Sequence, residues 1–572
     1  MSRRIGARML GAAALTATVA LTVQLGVTPS NASWNDREWT AGTAGTITDC
    51  IDPEGLFATR GEGKALGGSL LGIDLDTVAE VSGVEVSNNG ARAAQDPASA
   101  DPAGPDAYAN PLDVGVLSLI DLNLSNILQL PLDTDTGVLG QYAQAQSNGR
   151  AAAAAGYVTE SGGIALEPSE GYPDLATLKL STLLDSLGFD LGTLLAGVAD
   201  VSLEIGAVTG RATIDGCADL WGATDAVVRE YLVAALRTQV TSPTVEALST
   251  SLRDVVGALT TAVNGLAGDQ GVLDGITGGL STLLGGVLGT LGLGDVGVTL
   301  TATLDQDTID EIIATPISDS GGVLSIDIAS GTVTVDTAAL LDKAYPAATG
   351  SGLNGLPPNF NPLADPVALL ALQEALTSTL DQWVDGLTDR LLAAVVLDVQ
   401  VQLELSLLFI PVLELGISVT GPLGHLEAKL ENSDVLGVLP LPLDSIVNPL
   451  LAGLPALVDG LVRPVLSSAL EPALTILTSV TRPVITLVST LYNALFLDGI
   501  VAVTLNAQND PASGNPEPAE WASLPDGQYA VSALRVGVLD ALGNANVRLH
   551  LGTAVVGPAC SAARAPVECA EY

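Results

Sequence analysis

The chain of 572 residues carries 64 acidic and 21 basic side chains, a formal net charge of −43, and 48% of its residues are hydrophobic. So negative a surface repels nucleic-acid phosphates and anionic lipid headgroups, which excludes both as partners held by simple electrostatics. The hydrophobic content excludes a disordered chain, and the length predicts roughly two to four compact units.

The N-terminus has the pattern of a secretory signal peptide. Three arginines within the first eight residues precede an apolar run that ends near Ser30 and Ala32, so residues 1–32 are predicted to be removed on export. The alternative is an uncleaved N-terminal anchor. Cleavage would leave 18 basic residues against 64 acidic ones, a net charge of −46.

The four cysteines predict two disulfides, because they are even in number and an exported protein meets an oxidising compartment. Three pairings exist, and we favour Cys50 with Cys217 and Cys560 with Cys569. The second pair would close a short C-terminal loop. The spacing contains no CxxC, which disfavours a zinc site.

The order of strand and helix patterns predicts a mixed α+β fold with β-rich N- and C-terminal parts. Residues 33–220 and 499–572 are the β-rich regions, and residues 221–498 combine Leu-rich amphipathic helices with antiparallel strands. Alternating runs such as VSLEIGAVTGRATIDGC and NANVRLHLGTAVVG support the strands at the two ends. A pure β-sandwich array is the alternative fold.

Within the middle region, apolar residues at three- and four-residue spacing predict helices over 224–240 and 244–267. A third helix is predicted to begin after Asp365 as N-cap, with Pro366 in its first position. Strict alternation over 397–408 predicts a strand with one solvated face. Arg-Pro pairs at 463 and 482 predict several short or kinked helices over 445–496.

The segment GITGGLSTLLGGVLGTLGLG, residues 275–294, has no charge and is long enough to span a bilayer. Eight of its twenty residues are glycine and four are Ser or Thr, so it is less apolar than its lack of charge suggests. It therefore predicts a buried helix, or a pair of short ones, packed by a Leu face while Gly278, Gly285, Gly289 and Gly292 admit another backbone. The alternatives are a membrane span and self-association in lipid.

Catalytic signatures are absent from the sequence. The only histidines, His425 and His550, lie in alternating segments that predict solvated strand positions, and no GxSxG, HExxH or GxxxxGK[ST] occurs. We therefore predict no defined catalytic activity. A glycosidase needs only two carboxylates. The sequence contains 64 acidic residues but singles out no pair of them.

Calcium is the cofactor that the sequence favours, since short acidic loops supply the oxygen ligands that this ion prefers. The candidate ligands are Asp74 and Asp76 in DLD, Asp133 and Asp135 in DTDTG, and Asp305, Asp307, Asp310 and Glu311 in DQDTIDE. No motif completes an EF-hand, and solvated acidic turns are the alternative interpretation.

Three segments carry a family resemblance: SWNDREWTAGTAGTITDC, NPLDVGVLSLIDLNLSN and YAVSALRVGVLD with ANVRLHLGTAVVGP. Together they resemble the choice-of-anchor G family of exported bacterial cell-surface proteins. The resemblance implies a cell-surface role without a defined activity and supplies no catalytic residues. The chain departs from an anchored pattern, because its last residues, GPACSAARAPVECAEY, contain no LPxTG and no apolar span.

These observations predict a secreted or cell-wall-associated protein with a structural or adhesive role. Its partners would be components of the cell envelope or the extracellular surface, and no transmembrane span is expected in the mature chain. An extracellular carrier of an apolar ligand is the alternative, because amphipathic helices and one-sided sheets could enclose a cavity. A polysaccharide-acting hydrolase is the third hypothesis.

Overall fold

The computed structural model describes residues 57–77, 82–89, 92–112, 126–129, 139–158, 162–164, 174–189, 197–220, 223–267, 269–285, 292–346, 352–407, 410–435, 443–509, 514–539 and 547–561. All of them fall in the unit that spans Cys50–Tyr572. The predicted signal peptide, Cys50, Cys569, Asp133 and Asp135 lie outside the described residues, so the predictions made for them remain predictions.

The first part of the chain is mainly β-structure. Its elements are β1 (Phe57–Leu70), β2 (Ile73–Asp74), β3 (Val84–Asn88), β4 (Ala93–Asp96), β5 (Asp101–Gly104), β6 (Ala107–Ala109), β7 (Leu128–Gln129), β8 (Gly140–Ala145), β9 (Arg150–Gly156), β10 (Asp174–Lys179), α1 (Leu180–Ser186), β11 (Asp200–Gly206), β12 (Val208–Asp215) and α2 (Gly216–Leu220). A 3-10 turn, Leu75–Thr77, follows β2.

The middle part alternates helices and strands. Its elements are β13 (Val227–Val233), β14 (Leu236–Thr241), α3 (Pro243–Leu266), α4 (Gln270–Leu283), β15 (Gly292–Leu304), α5 (Gln306–Ala314), β16 (Ile317–Ser318), β17 (Leu324–Asp327), β18 (Thr332–Asp336), α6 (Thr337–Ala344), α7 (Pro366–Ala393), β19 (Val395–Leu407), β20 (Ile410–Pro422) and β21 (Glu427–Val435).

The last part contains one long helix and then strands: α8 (Leu443–Tyr492), β22 (Val501–Gln508), β23 (Tyr529–Val538), β24 (Val547–Val556) and β25 (Cys560–Ser561). A π-helical turn, Asn493–Leu497, extends α8, and a 3-10 turn, Trp521–Ser523, precedes β23. The predicted mixed α+β fold is confirmed.

The strands form four antiparallel sheets. An eight-stranded sheet has the order β22-β23-β24-β1-β3-β4, with β2 and β25 also on β1, and a six-stranded sheet has the order β13-β12-β9-β8-β6-β5. The other two are β16-β17-β18-β14-β11-β10-β7 and β15-β19-β20-β21. Because β1 pairs with β24, the β-rich regions predicted at the two ends of the chain share one sheet.

The eight- and six-stranded sheets pack face to face, and β1 lies against the backbone of β8 and β9 at two glycines. A methyl group at Gly63 would place its carbon 2.5 Å from the carbonyl oxygen of Tyr142 and 2.6 Å from that of Ala154. At Gly61 it would lie 2.8 Å from the carbonyl oxygen of Ala152. Since a Cβ does not approach an oxygen so closely, only glycine fits at these positions of β1.

The helix predicted over 224–240 is wrong, because the segment forms β13 and β14. Leu236, Thr238 and Val240 are buried while Arg237 and Gln239 are half-exposed, which is the period of two of a strand. Their partners come from β11 and β18, on either side of β14. The apolar spacing of this segment also fits a helix, and pairing with distant strands determines that it forms β-structure.

Several other predicted elements are confirmed. Helix α3 covers the predicted 244–267, and Asp365 caps α7 by accepting hydrogen bonds from the backbone N–H groups of Val367 at 2.8 Å and Ala368 at 3.0 Å. Strand β19 buries Val399, Val401, Leu403 and Leu405 as its alternation predicts.

Of the short or kinked helices predicted over 445–496, the division into several short helices is wrong, because α8 is one continuous helix of 50 residues, about 75 Å long. Four of its five internal prolines are exposed and Pro455 is half-exposed, so water can satisfy the carbonyls that lose their helical partners. The opposite side buries a stripe that recurs every four residues: Ile446, Leu450, Leu454, Val458, Val462, Leu466 and Leu470.

Among the described residues, Leu443–Leu497 is the one helical segment long and apolar enough to cross a membrane by length and composition. Helix α8 packs against α3, α4, α7 and β21 of the same unit. The core helix of a folded protein meets the same criterion, so this finding adds little to the case for a span.

The charge-free segment forms the end of α4 over 275–283 and the start of β15 from Gly292; residues 286–291 lie outside the described part. Ile276, Leu280 and Leu284 are buried, which confirms the predicted Leu face. Of the predicted glycines, Gly278 and Gly285 contact no neighbouring element, whereas Gly289 lies outside the described residues. Gly278 faces open space, whereas added methyl carbons at Gly275 and Gly279 would lie 2.9 Å from Leu461 Cδ2 and 2.4 Å from Leu457 Cδ2.

Helices α4 and α8 therefore pack antiparallel with glycines opposite leucines. The third contact reverses the roles, since a methyl carbon at Gly453 of α8 would lie 2.4 Å from Leu283 Cδ2 of α4. The spacing of four residues places Gly275, Gly279 and Leu283 on one face of α4.

We expect the same substitution at adjacent positions of α4 to have opposite effects. Gly279→Ala should lower the free energy of unfolding by about 1–3 kcal/mol because the methyl group overlaps Leu457. Gly278→Ala should raise it by up to about 1 kcal/mol, since alanine favours the helix and nothing lies near its Cβ. Urea denaturation of both variants measures the difference, and equal effects would contradict the packing.

A parallel test addresses the two sheets. Gly63→Ala should cost about 3 kcal/mol, because the carbonyls of Tyr142 and Ala154 belong to a backbone that cannot rotate away. The control is Gly297→Ala on β15, where the added carbon meets Gln402 Cβ at an ordinary 3.6 Å and the change should stay within about 0.5 kcal/mol. A similar Tm for both variants would show that the two sheets can accommodate a methyl group at Gly63 and would contradict the close packing.

Candidate functional site

A cavity of about 370 Å³ lies on the eight-stranded sheet, on the face turned away from the six-stranded sheet. Alternation along β1 explains this placement, since Gly61 and Gly63 contact β9 while Glu62 and Lys64 project to the other side. Four carboxylates, two cations, a histidine and a tryptophan line the cavity: Glu62, Asp74, Asp76, Glu520, Lys64, Arg548, His550 and Trp521.

A left-handed glycine allows one strand to line the cavity along its length. Arg548 and His550 lie before Gly552, whereas Thr553 and Val555 lie after it, and all four contribute to the lining. Regular alternation would put His550 and Thr553 on opposite faces. The φ of +65° at Gly552 shifts the alternation by one residue, so that both halves of β24 face the cavity.

The floor of the cavity follows from strand register. His550 of β24 stands opposite Arg535 of β23 on one side and Gly67 of β1 on the other. Gly67 has no side chain and itself lines the cavity, where an added methyl carbon would lie 3.0 Å from both Asp76 Oδ1 and Lys64 Cδ.

Glu520 joins the charged side chains of β23 and β24. Arg535 forms a bidentate interaction with the carboxylate of Glu520, donating from Nε to Oε1 at 2.6 Å and from Nη2 to Oε2 at 3.1 Å. His550 Nε2 lies 2.8 Å from Oε1, and Arg548 Nε lies 3.7 Å from Oε2. The side chain of Arg535 is only 4% exposed and that of Glu520 is 17% exposed, so this is a buried ion pair with a histidine attached.

The environment of Glu520 shifts its pKa strongly. Burial alone would raise the pKa, but hydrogen bonds from His550 and Arg535 together with the positive charge of Arg535 outweigh burial and hold it well below the ordinary value of 4.5. Glu520 therefore stays ionised at neutral pH as the counterion of Arg535. A general acid of a glycosidase needs the opposite shift.

Trp521 covers the histidine. Its ring centroid lies 5.0 Å from that of His550, with the planes tilted by 32°. His550 Nδ1 is buried and has no hydrogen-bond partner within the described part of the chain. The imidazole is thus held by Glu520 at Nε2, while Nδ1 is buried and unsatisfied among the described residues.

A second charged group forms the opposite wall. Lys64 Nζ lies 3.0 Å from Asp76 Oδ1 and 3.7 Å from Glu62 Oε1, and Arg60 Nη2 lies 2.8 Å from Glu62 Oε2. The 3-10 turn after β2 positions Asp76, whose Oδ1 also accepts from the Gly68 N–H at 3.2 Å. Each of these carboxylates is close to a cation, so the wall is polar and largely compensated in charge.

The histidine predictions have different outcomes. His425 is exposed as predicted, although it lies in the turn between β20 and β21 rather than on a strand. The prediction that His550 is solvated is wrong, because the segment that contains Glu520 and Trp521 covers that face of β24. Arg535 and Glu520 were missed as well, and the signal that could have found them is an arginine in the otherwise apolar run YAVSALRVGV.

The predicted calcium ligands that the structure describes do not form a group around one point, and Asp133 and Asp135 lie outside the described residues. Asp305 is the N-cap of α5 and accepts from the Asp307 N–H at 3.2 Å and from Thr308 Oγ1 at 2.7 Å. Asp307 and Asp310 lie on the helix that it caps. In the part of the chain that the structure describes, no three His, Cys, Asp or Glu side chains are grouped to hold a metal ion. Asp74 and Asp76 belong to the cavity instead.

Neither Cys217 nor Cys560 is a free thiol. Their predicted partners, Cys50 and Cys569, lie outside the described residues, so the favoured pairing remains a prediction.

Comparison with known proteins places the chain in a family. Residues 61–557 match the family described as a domain of unknown function (DUF8394). The chain belongs to this family. No curated protein and no solved structure matches it. The DUF8394 match extends from β1 to the residue that follows β24, so it includes every side chain that lines the cavity.

Removal of the charge on Glu520 should destabilise the protein in a pH-dependent way. Glu520→Gln leaves Arg535 buried without its counterion, which should cost about 3–5 kcal/mol near neutral pH. Because the pKa of Glu520 is lowered on folding, its stabilisation is complete above about pH 4.5 and is lost as the pH falls below that value. The difference from wild type should therefore shrink on acidification.

Denaturant unfolding between pH 7 and pH 3 measures this difference. Glu374→Gln, at an exposed carboxylate of α7, is the control and should match wild type throughout. A difference for Glu520→Gln that stays constant over the whole range would contradict the assignment.

Proposed function

We propose that the protein is exported and acts at the cell surface or in the cell wall, in a structural or adhesive role, with the cavity on the eight-stranded sheet as its recognition site. The observation that carries this proposal is the chemistry of the cavity. Lys64 is paired with Asp76 and Glu62, and Glu520 is fixed in the ionised form beside Arg535. Such a lining suits binding through preset hydrogen bonds rather than proton transfer.

Sequence observations support the location. The N-terminal pattern is typical of a signal peptide, the cysteine count suits an oxidising compartment, and the resemblance to choice-of-anchor G proteins implies a surface role. The charged lining of the cavity gives no support to the alternative of an apolar-ligand carrier, and the lowered pKa of Glu520 disfavours a hydrolase that would use this group as its acid.

Cell fractionation tests the proposal. In the producing organism, the full chain should be recovered from the medium or the wall fraction, and intact cells should expose wall-associated chain to added protease. A variant that lacks residues 2–32 should stay in the cytoplasm. Purified chain 33–572 should also bind isolated cell envelopes, and the binding should persist at about 0.5 M salt. Salt at about that concentration screens interactions between exposed charges. Recovery of the full chain only from the cytoplasm would sink the proposal.

A further inference from the structure

The cavity combines hydrogen-bond acceptors, donors and apolar surface within a small space. Carboxylates of Glu62, Asp74 and Asp76 supply acceptors, and Lys64 and Arg548 supply donors. Trp521, Leu524 and Val555 supply apolar atoms in the same lining. The volume of about 370 Å³ lies near the lower end of the roughly 300–1,000 Å³ found for small-molecule sites.

Charge pairing narrows the class of ligand. Lys64 is compensated by Asp76 and Glu62, and Glu520 by Arg535 and Arg548. A free anion would meet four carboxylates, and a free cation would compete with cations already in place at 3.0 Å and 2.6 Å. A neutral ligand avoids both costs, provided that it can donate to carboxylates and accept from Lys64 and Arg548.

Hydroxyl groups meet that requirement, because each one donates one hydrogen bond and accepts others. A ring that carries several hydroxyls on its edge and C–H groups on its face would satisfy the polar walls while it covers Leu524 and Val555. His550 also lines the cavity; its side chain is 7% exposed, and its buried Nδ1 has no hydrogen-bond partner among the described residues.

We propose that this cavity binds a neutral sugar residue, presented by an envelope or extracellular polysaccharide. The proposal rests on the recognition role proposed above and names its ligand class. In it, Asp76 and Glu62 accept from ring hydroxyls, Lys64 and Arg548 donate to them, and Gly67 keeps the cavity free of a further side chain beside Lys64 and Asp76.

Two variants alter the cavity without touching the buried Arg535 pair. A methyl carbon at Gly67 would lie 3.0 Å from Asp76 Oδ1 and 3.0 Å from Lys64 Cδ, both near the ends of flexible side chains, so Gly67→Ala should fold and reduce the space. Asp76→Asn keeps an oxygen for the Gly68 N–H and removes the charge of a side chain that is 49% exposed. Gly297→Ala, on the exposed part of β15, is the matched control.

The experiment measures binding of the purified chain 33–572 to soluble neutral glucan, mannan and galactan by isothermal titration and by Trp fluorescence, with chitosan and polygalacturonate as charged comparisons. Wild type should bind at least one neutral polymer with little salt dependence. Gly67→Ala and Asp76→Asn should each weaken that binding by about tenfold. Asp76→Asn removes one charge-assisted hydrogen bond to the sugar, and Gly67→Ala reduces the volume open to it. Gly297→Ala should bind like wild type.

Three results would overturn the proposal: no binding to any neutral polymer, neutral binding that both cavity variants leave unchanged, or binding confined to chitosan and abolished by salt, which would reflect the acidic surface alone. Far-ultraviolet circular dichroism and Tm confirm that the variants are folded. The outcome is separable from that of fractionation, because a surface-located protein that binds no neutral sugar would sink only this inference, and a cytoplasmic protein that binds one would sink only the proposed location.

Discussion

Close contact between backbones is the constraint on which the rest of the structure depends. In the sandwich, the glycines of β1 lie against the carbonyls of β8 and β9, with Ala152 and Ala154 on the facing strand. Between α4 and α8, glycine again removes the side chain at the point of contact. A chain with only 3% aromatic residues lacks the bulky side chains that usually fill a core. It gains contact by bringing backbones together, where packing is dense and tolerates little added volume.

The same constraint creates the cavity. Because β1 turns Gly61 and Gly63 inward, Glu62 and Lys64 must point outward, and the left-handed Gly552 brings both halves of β24 to that outer face. The 3-10 turns at Leu75–Thr77 and Trp521–Ser523 then bring one acidic side chain each to the two walls. The cavity therefore depends on the placement of glycines in β1 and β24. It depends equally on the two short turns, which position Asp76 and Glu520 beside those strands.

Elements governed by local signals were predictable, and elements governed by distant partners were not. The cap formed by Asp365 and Pro366 and the alternation of β19 are written in a few adjacent residues, and both are observed. Strands β13 and β14 also have spacing that suits a helix, and only β11, β12 and β18 decide their state. For α8, the prolines signalled breaks, yet their exposure to solvent removes most of the cost. The prediction for His550 was wrong for the same reason as the prediction for β13. Its partner Glu520 is 30 residues away in sequence and contacts it only in the folded chain.

The place of the cavity along the chain also bears on when it forms. Its floor needs β1 and β24 side by side, as in the pairs Lys64 with Thr553 and Gly67 with His550, nearly 500 residues apart in sequence. Contacts between such distant segments carry the largest loop-closure cost and come late in folding. The side chains of Arg535 and His550 are buried only once that sheet has closed, because Glu520 and Trp521 cover them from the segment that precedes β23. A chain in which β1 and β24 have not yet paired thus has no cavity, and the cavity becomes available only in the completed fold.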